Sequence, residues 1–533
     1  MPYRACAILL TMAVLGLIRA EETPSDPSTQ LSKVLKQLTD DDFQIREKAT
    51  AALNEFPGEA LPFVEAALQR TDLDAETRSR LQAALPFLRV KHQRLTLSAV
   101  KKSELAWNQK TLRDAFFDVG KHDPKWDKPA REALERCSLY FARNNRFQEP
   151  KEALAIEILL QQCITAGCDD ALIFYLFLKM QEEQNTLSFA QKVQKYNEAA
   201  TRIKDSRYPA ARRAFVMLLG ALCIAHTRKP YADGIVERLK MAMGEILPLI
   251  VEAARQPEMP RELLLGMLND YVALAYFINE DRKIGFDELM TALPAELREG
   301  VVGLTLTGKV YTSIASDPHG KPEDKPTPEE NSKYYFDRIH VAREALEKAY
   351  AAEPAFPPIS EQMFAVVIGQ GKARDELETW FKRARQANPD SYEICEAKLS
   401  YLDPYLNGSN EKMIAFGREL LKEGNFAARL PFILMDVHDM LSKRNDPEKR
   451  EAYFRGEGVW DDVQAVFEGF LKQFPDATWQ RSKYAYYAGL CGQWKVFAHQ
   501  LKILGSDVNQ RAFRNFQQFE RFKLEAAKAG VGP

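Results

Sequence analysis

Asp42-Phe43-Gln44-Ile45-Arg46-Glu47-Lys48-Ala49, running on to Leu53, is echoed by Asp74-Ala75-Glu76-Thr77-Arg78, running on to Leu81 and Leu85. Each copy sets an acidic residue ahead of apolar positions spaced three or four apart, the pattern of a helix buried on one face. Such units are stable when each covers its neighbour's apolar face, so the echo predicts stacked helical hairpins. The flanking stripes agree: Leu31, Val34, Leu35 and Leu38 before, Phe43, Ile45, Ala49, Ala52 and Leu53 within. Leu61, Val64, Ala67 and Leu68, then Leu81, Ala84, Leu85 and Leu88, continue them. Asp40, Asp41 and Asp42 offer side-chain oxygens to cap the next helix and negative charge at its positive end. Pro62 stands near a helix start, where a missing amide donor costs little.

Asp42, Arg46 and Ala49 match the loop Asp, intrahelical Arg and small positions of HEAT repeats, which residues 31–91 resemble. The resemblance implies a stacked hairpin unit and names no ligand.

The same periodicity runs through the rest of the chain. Residues 92–125 are less regular, broken at Lys101-Lys102 and at Gly120–Pro124, and read as a connecting helix. Hairpins are expected at 129–143 with 151–166, 169–184 with 187–203, 209–226 with 232–255, and 260–278 with 284–299. Pro129, Pro150, Gly167, Pro209, Pro230 and Pro260 punctuate them. Val301–Ile314, rich in Val and Thr, fits helix spacing as well as strand spacing. Residues 316–332 combine charge, prolines and a lack of apolar residues, and cannot bury a core. They mark a domain boundary or a long surface loop.

Beyond that segment small residues recur three or four apart and each run ends at proline: Ala345, Ala349 and Pro354; Ala384, Ala387 and Pro389. Trp460–Pro475 and Tyr484–Trp494 repeat the scheme. This resembles the second helix of tetratricopeptide repeats, where small residues let helices approach. The stretch Asn388–Phe416 is similar to an uncharacterised tetratricopeptide-like domain family of exported bacterial proteins. Tyr405-Leu406-Asn407 replaces that family's aromatic-Gly turn, and the family carries no established activity. Asn407-Gly408-Ser409 fits a glycosylation sequon, but reads better as the turn before a helix from Asn410.

Composition bounds the function. With 533 residues the chain exceeds what one compact core holds, so several domains or an open solenoid are expected. Basic and acidic residues, 73 and 75, nearly cancel to a net charge of -2. No global field then draws in nucleic acid or an anionic membrane. Arg4 precedes an apolar run from Ala5 to Ile18, and Ala20 is followed by Glu21-Glu22 and a polar segment. That is the layout of a cleavable secretory signal over residues 1–20, followed by a disordered linker over 21–30. The run is shorter than the roughly twenty residues a membrane span needs, so no membrane span is expected after cleavage. The expected location is periplasmic or secreted.

Loss of Cys6 with the signal leaves six cysteines, an even number in an oxidising compartment. Most lie in apolar helical stripes and read as small buried hydrophobes. Cys163 and Cys168 are the candidate disulfide. A continuous helix holds them badly, but a left-handed cap at Gly167 brings the chain back on itself. No second Cys or His pair stands at metal-ligand spacing.

The residues offer little catalytic signal. His-Glu-x-x-His, a Gly-x-Ser-x-Gly elbow, a phosphate loop and a dinucleotide fingerprint are all missing from the sequence. His438, with Asp436 and Asp439, is the nearest approach to a polar site, and reads as a histidine paired with a carboxylate inside a hairpin. Tyr484, Tyr487 and Trp494, with Tyr486, suggest a stacking surface. Arg202, Lys204, Arg207, Arg212 and Arg213 form a basic stretch able to grip a polyanion, or a solvated face with local counter-charges. Phe513, Phe516, Phe519 and Phe522 wind around half a helix and suit a terminal capping helix, or one that docks into a partner's groove.

The reading is an all-α, α–α superhelix: a HEAT-like unit at 31–91, helical hairpins over 92–315, and a tetratricopeptide-like region with a capping helix over 333–533. Function is expected to be non-enzymatic, an interaction scaffold whose partner is another envelope or secreted protein, with no cofactor, metal or nucleic acid. The alternative is a carbohydrate- or peptidoglycan-processing enzyme or accessory with a site assembled from distant residues.

Overall fold

The computed structural model describes residues 27–54, 56–96, 99–142, 150–184, 186–227, 233–317, 327–371, 374–406, 408–444 and 449–531. The expected signal, residues 1–20, and Asn407 lie outside them. The described residues form helices and turns with no β-strand, and no helix among them is long and apolar enough to cross a membrane. The fold is all-α, and helices pack chiefly on their neighbours in sequence and on the next but one. That local pattern is the signature of a solenoid, in which each hairpin covers the apolar face of the last.

The chain divides into two compact units, one ending at Ser98 and one beginning at Ala99. In the first, the two echoed motifs do the same work. Asp42 accepts from the Gln44 amide (2.7 Å) and Asp74 from the Thr77 amide (2.8 Å), each satisfying a free donor at a helix start. Arg46 donates to the carbonyls of Asp40 and Asp41, and Arg78 to those of Leu68 and Arg70. In both copies, then, the helix reaches back to tie down the turn before it. The core takes Leu31, Val34, Leu38, Ala49, Leu53, Val64, Leu81 and Leu88, as the stripes predict. Phe43 and Ala52 depart from theirs. Phe43 opens its helix, is 60% exposed and lies beside Arg46, and Ala52 faces solvent. The expected linker over 21–30 also ends early, because Pro27–Leu38 is already helix.

The second unit follows the predicted hairpins closely: Asp127–Ala142 with Pro150–Thr165, Ala171–Glu183 with Phe189–Lys204, Ala210–Ala225 with Ile235–Ala254. Caps mark the starts. Asp170 accepts from the Leu172 and Ile173 amides, and Ser188 and Gln191 form a reciprocal capping box. The helix expected over 284–299 is two, Arg282–Ala292 and Ala295–Arg298, since Pro294 cannot supply the amide that would continue it. The irregular stretch is helical over Ala99–Val119, with a π turn at Gln109–Asp114.

Val301–Ser316 is helix, and Thr305, Thr307 and Thr312 each return a hydroxyl to the carbonyl four residues back. It packs along Pro328–Ala352, across the charged segment. Gly308 permits the approach: a Cβ there would lie 2.4 Å from Leu346 Cγ. The segment therefore joins two packed helices, and its end, from Pro328, is the first turn of the second, capped by Thr327 and Glu330. Ala345 and Ala349 are buried as their four-residue spacing requires, and Ala384 is buried while Ala387 is partly exposed. Ser409 caps Asn410–Glu423 as expected.

Candidate functional site

Gly167 does adopt the left-handed conformation (φ 98°), and the Cys168 amide bonds back to the Cys163 carbonyl at 3.0 Å. The candidate bridge is nonetheless not formed. Both thiols are buried and free, and Cys163 Sγ donates instead to the Leu159 carbonyl at 3.3 Å. Burial pushes the Cys163 thiol up to about 12 and those of Cys223 and Cys395 to about 11, which keeps them protonated and inert.

The basic stretch proves to be locally neutralised. Arg202 pairs with Glu198 and Lys204 with Glu245, each at 2.5 Å, Arg213 donates to the Lys204 carbonyl, and Arg207 stands exposed without such a tie among the described residues. Arg212 does not face solvent at all. Its guanidinium donates to Thr111 Oγ1 (2.9 Å) and Asn108 Oδ1 (2.5 Å), 4.0 Å over the Trp107 ring. Burial lowers its pKa to about 10, so it stays charged at neutral pH while joining its helix to the π turn. These five residues do not form one grip.

The aromatic set is likewise mostly core. Tyr484 is 1% exposed, stacks on Phe467 and Trp460, and bonds to Glu468. Tyr487 is buried and donates to Asp439 Oδ2 at 3.0 Å. Trp494 is half-buried, edge-on to Phe497 and Phe522. Residues three apart share a helix side, so Tyr484 and Tyr487 turn together into the preceding hairpin. Tyr486 turns the other way, against Phe513 and Phe522.

His438 is sealed at 1% exposure, with Nδ1 2.9 Å from the Tyr453 hydroxyl and Nε2 3.1 Å from Asp462 Oδ2. Its carboxylate partner is thus Asp462 on the following hairpin, not Asp436 or Asp439. Burial raises the Asp462 pKa, but hydrogen bonds from His438 and Arg418 outweigh it and hold the group below the ordinary range. Asp436 receives the Tyr392 hydroxyl, and Asp439 is shared by Arg450 and Tyr487. Each group serves a link between hairpins. Among the described residues no three His, Cys, Asp or Glu side chains gather as a metal would require.

Polar side chains do converge on a pocket of about 420 Å³ at the C-terminal hairpins, lined by Arg450, Glu451, Tyr486, Arg514, Gln518 and Arg521, among others. Arg450 opens the short helix Arg450–Phe454, Tyr486 lies on Thr478–Leu490, and Gln518 and Arg521 lie on Phe516–Lys528. Local sequence sets the wall. Ala512 and Phe513 are buried and anchor the turn, leaving Arg514 exposed, and Asn515 caps the last helix by accepting from the Gln518 amide at 2.8 Å. Phe519 and Phe522 bury one side of that helix, so Gln518 and Arg521 fall on another. Arg450 donates to Asp439 at 2.8 Å, and Arg521 pairs with Glu451. Arg514 has no counter-ion among the described residues. Lys483 lies 5.2 Å from the Tyr486 ring centre, its pKa lowered by burial.

Sequence reading did not single out Arg450, Arg514, Gln518 or Arg521. The available signal was Arg514-Asn515, a charge and a capping residue interrupting a run of phenylalanines. Two other hollows are less telling. One of about 270 Å³ includes Lys204 and its partner Glu245, and one of about 510 Å³ has only the Leu154–Ala166 face of a single helix as its described wall. No protein-family model matches this chain, and no curated protein matches it.

Proposed function

We propose that this chain is an exported helical-repeat protein that serves as a protein–protein interaction scaffold in the cell envelope, without catalysis. On this reading residues 31–91 are HEAT-like, residues 333–533 are tetratricopeptide-like, and the signal is cleaved after Ala20. The observation that carries it is the pocket of arginines and amides at the C-terminal hairpins. Such groups recognise polar chains and fix orientation, and a stack of hairpins is a framework that presents them rigidly. The burial of His438, with both ring nitrogens engaged by neighbouring helices, supports a structural role for the residue most like a general base.

Crosslinking of the mature protein in envelope extract, followed by mass spectrometry, tests the proposal. The expected result is one or a few protein partners whose crosslinks map to the C-terminal hairpins. Recovery of no protein, together with release of soluble product from peptidoglycan or polysaccharide, would favour the carbohydrate-processing alternative and overturn the scaffold.

A further inference from the structure

The C-terminal pocket has unused bonding capacity of a particular kind. Arg450 Nε and Gln518 Oε1 are buried with no hydrogen-bond partner, although both residues line it. Tyr486, 4% exposed, also lines it, and its hydroxyl has no hydrogen-bond partner among the described residues. Buried polar groups are almost always satisfied, so an unpartnered buried donor and acceptor lining one opening, with Tyr486 beside them, mark a place shaped for a polar guest. The charges specify it further. Arg450 is balanced by Asp439 and Arg521 by Glu451, which leaves Arg514 as the one uncompensated cation of the wall among the described residues. The start of helix Phe516–Lys528 adds the partial positive charge of its free amides.

We infer that this pocket receives a carboxylate carried on an extended acidic segment of a partner protein. The Arg514 guanidinium presents paired N–H groups that match a carboxylate. The Tyr486 hydroxyl and Arg450 Nε donate from the floor, and Gln518 Oε1 accepts a backbone N–H of the segment. Phe516, 60% exposed and set in sequence between the lining residues Asn515 and Gln517, offers an apolar seat for a neighbouring side chain. A single free cation matches a monoanion. A phosphate dianion would meet the Glu451 carboxylate and the Gln518 oxygen with charge left over. The carboxylate comes from an Asp or Glu side chain or from a chain end, and the two share this chemistry.

The inference deepens the scaffold reading and rests on it. Calorimetric titration of the full mature chain tests it, using four probes: acetyl-Gly-Phe-Glu-Gly-amide, the same peptide with Gln for Glu, acetyl-Gly-Phe-Gly with a free carboxyl end, and inorganic phosphate. At least one carboxylate peptide is expected to bind about tenfold more tightly than the Gln peptide, and the tighter of the two assigns the source. Arg514→Gln, at an exposed position, should remove that advantage at unchanged melting temperature, and Tyr486→Phe should weaken binding about threefold. Binding of both carboxylate peptides no tighter than the Gln peptide, tighter binding of phosphate, or full affinity in Arg514→Gln each overturns the assignment. If Arg514→Gln retains every crosslinked partner of the parent chain, the pocket assignment fails and the scaffold stands. Absence of any partner in the parent chain removes both.

Discussion

Asp436 faces Tyr392, Arg429, Glu396 and Asp439, and burial lifts its carboxyl from 3.8 to about 6, with the two acidic neighbours adding to the rise. Its folded-state pKa lies above its unfolded value, so the folded chain holds the proton more tightly. The site is at its most favourable below about pH 4 and becomes a burden as pH climbs through 6. Asp436→Asn should therefore match the parent near pH 4 and exceed it in stability by about 3 kcal/mol at pH 7.5. Urea midpoints at pH 4, 5.5 and 7.5 measure the difference, and a variant that loses stability at neutral pH would show that the ionised form is needed. Asp462 carries the opposite sign. Its depressed pKa contributes stability that is lost only as pH falls below the ordinary carboxylate range, outside the window that isolates Asp436.

At the level of elements, the last helix seals the stack. Phe513, Phe519 and Phe522 are buried while Phe516 is 60% exposed, so three of the four phenylalanines cap the solenoid and one is left on the rim. Contact with Phe522 depends on Gly489, where a Cβ would come within 2.3 Å of the ring. Gly489→Ala should cost about 1–3 kcal/mol through overpacking. Phe522→Ala should cost about 3–5 kcal/mol through the cavity it leaves. Denaturant unfolding of the two single variants and the double variant checks both. The double variant should recover part of the Gly489→Ala loss, because the clash and the ring vanish together. The helix was legible because Phe519 and Phe522 stand three apart. The fate of Phe516 was not, since it depends on where Asn515 starts the helix.

Across the whole molecule, helix boundaries were readable where prolines, glycines and capping residues act locally, as Pro209, Gly167 and Ser409 show. The pocket was not. Its wall draws Arg450, Tyr486 and Arg514 from elements separated by intervening helices, and what brings them together is the angle between hairpins, which no single stripe encodes. The same stacking makes the effect of truncation local. A chain ending at residue 509 should expose the ring cluster of Tyr486 and Phe497, and lose amide protection over 459–504. Protection over 127–254 should persist, and hydrogen exchange with mass spectrometry reads both at once. Uniform loss along the chain would mean one all-or-none unit rather than a row of coupled repeats.

The buried thiols have a use that follows from their placement. Cys137, Cys163, Cys395 and Cys491 are buried and free, and each belongs to a different helix or its cap. None can meet a maleimide until its own hairpin opens. The native chain therefore carries a clock for each segment, and the order in which these positions take up label in rising urea records the order in which the stack comes apart.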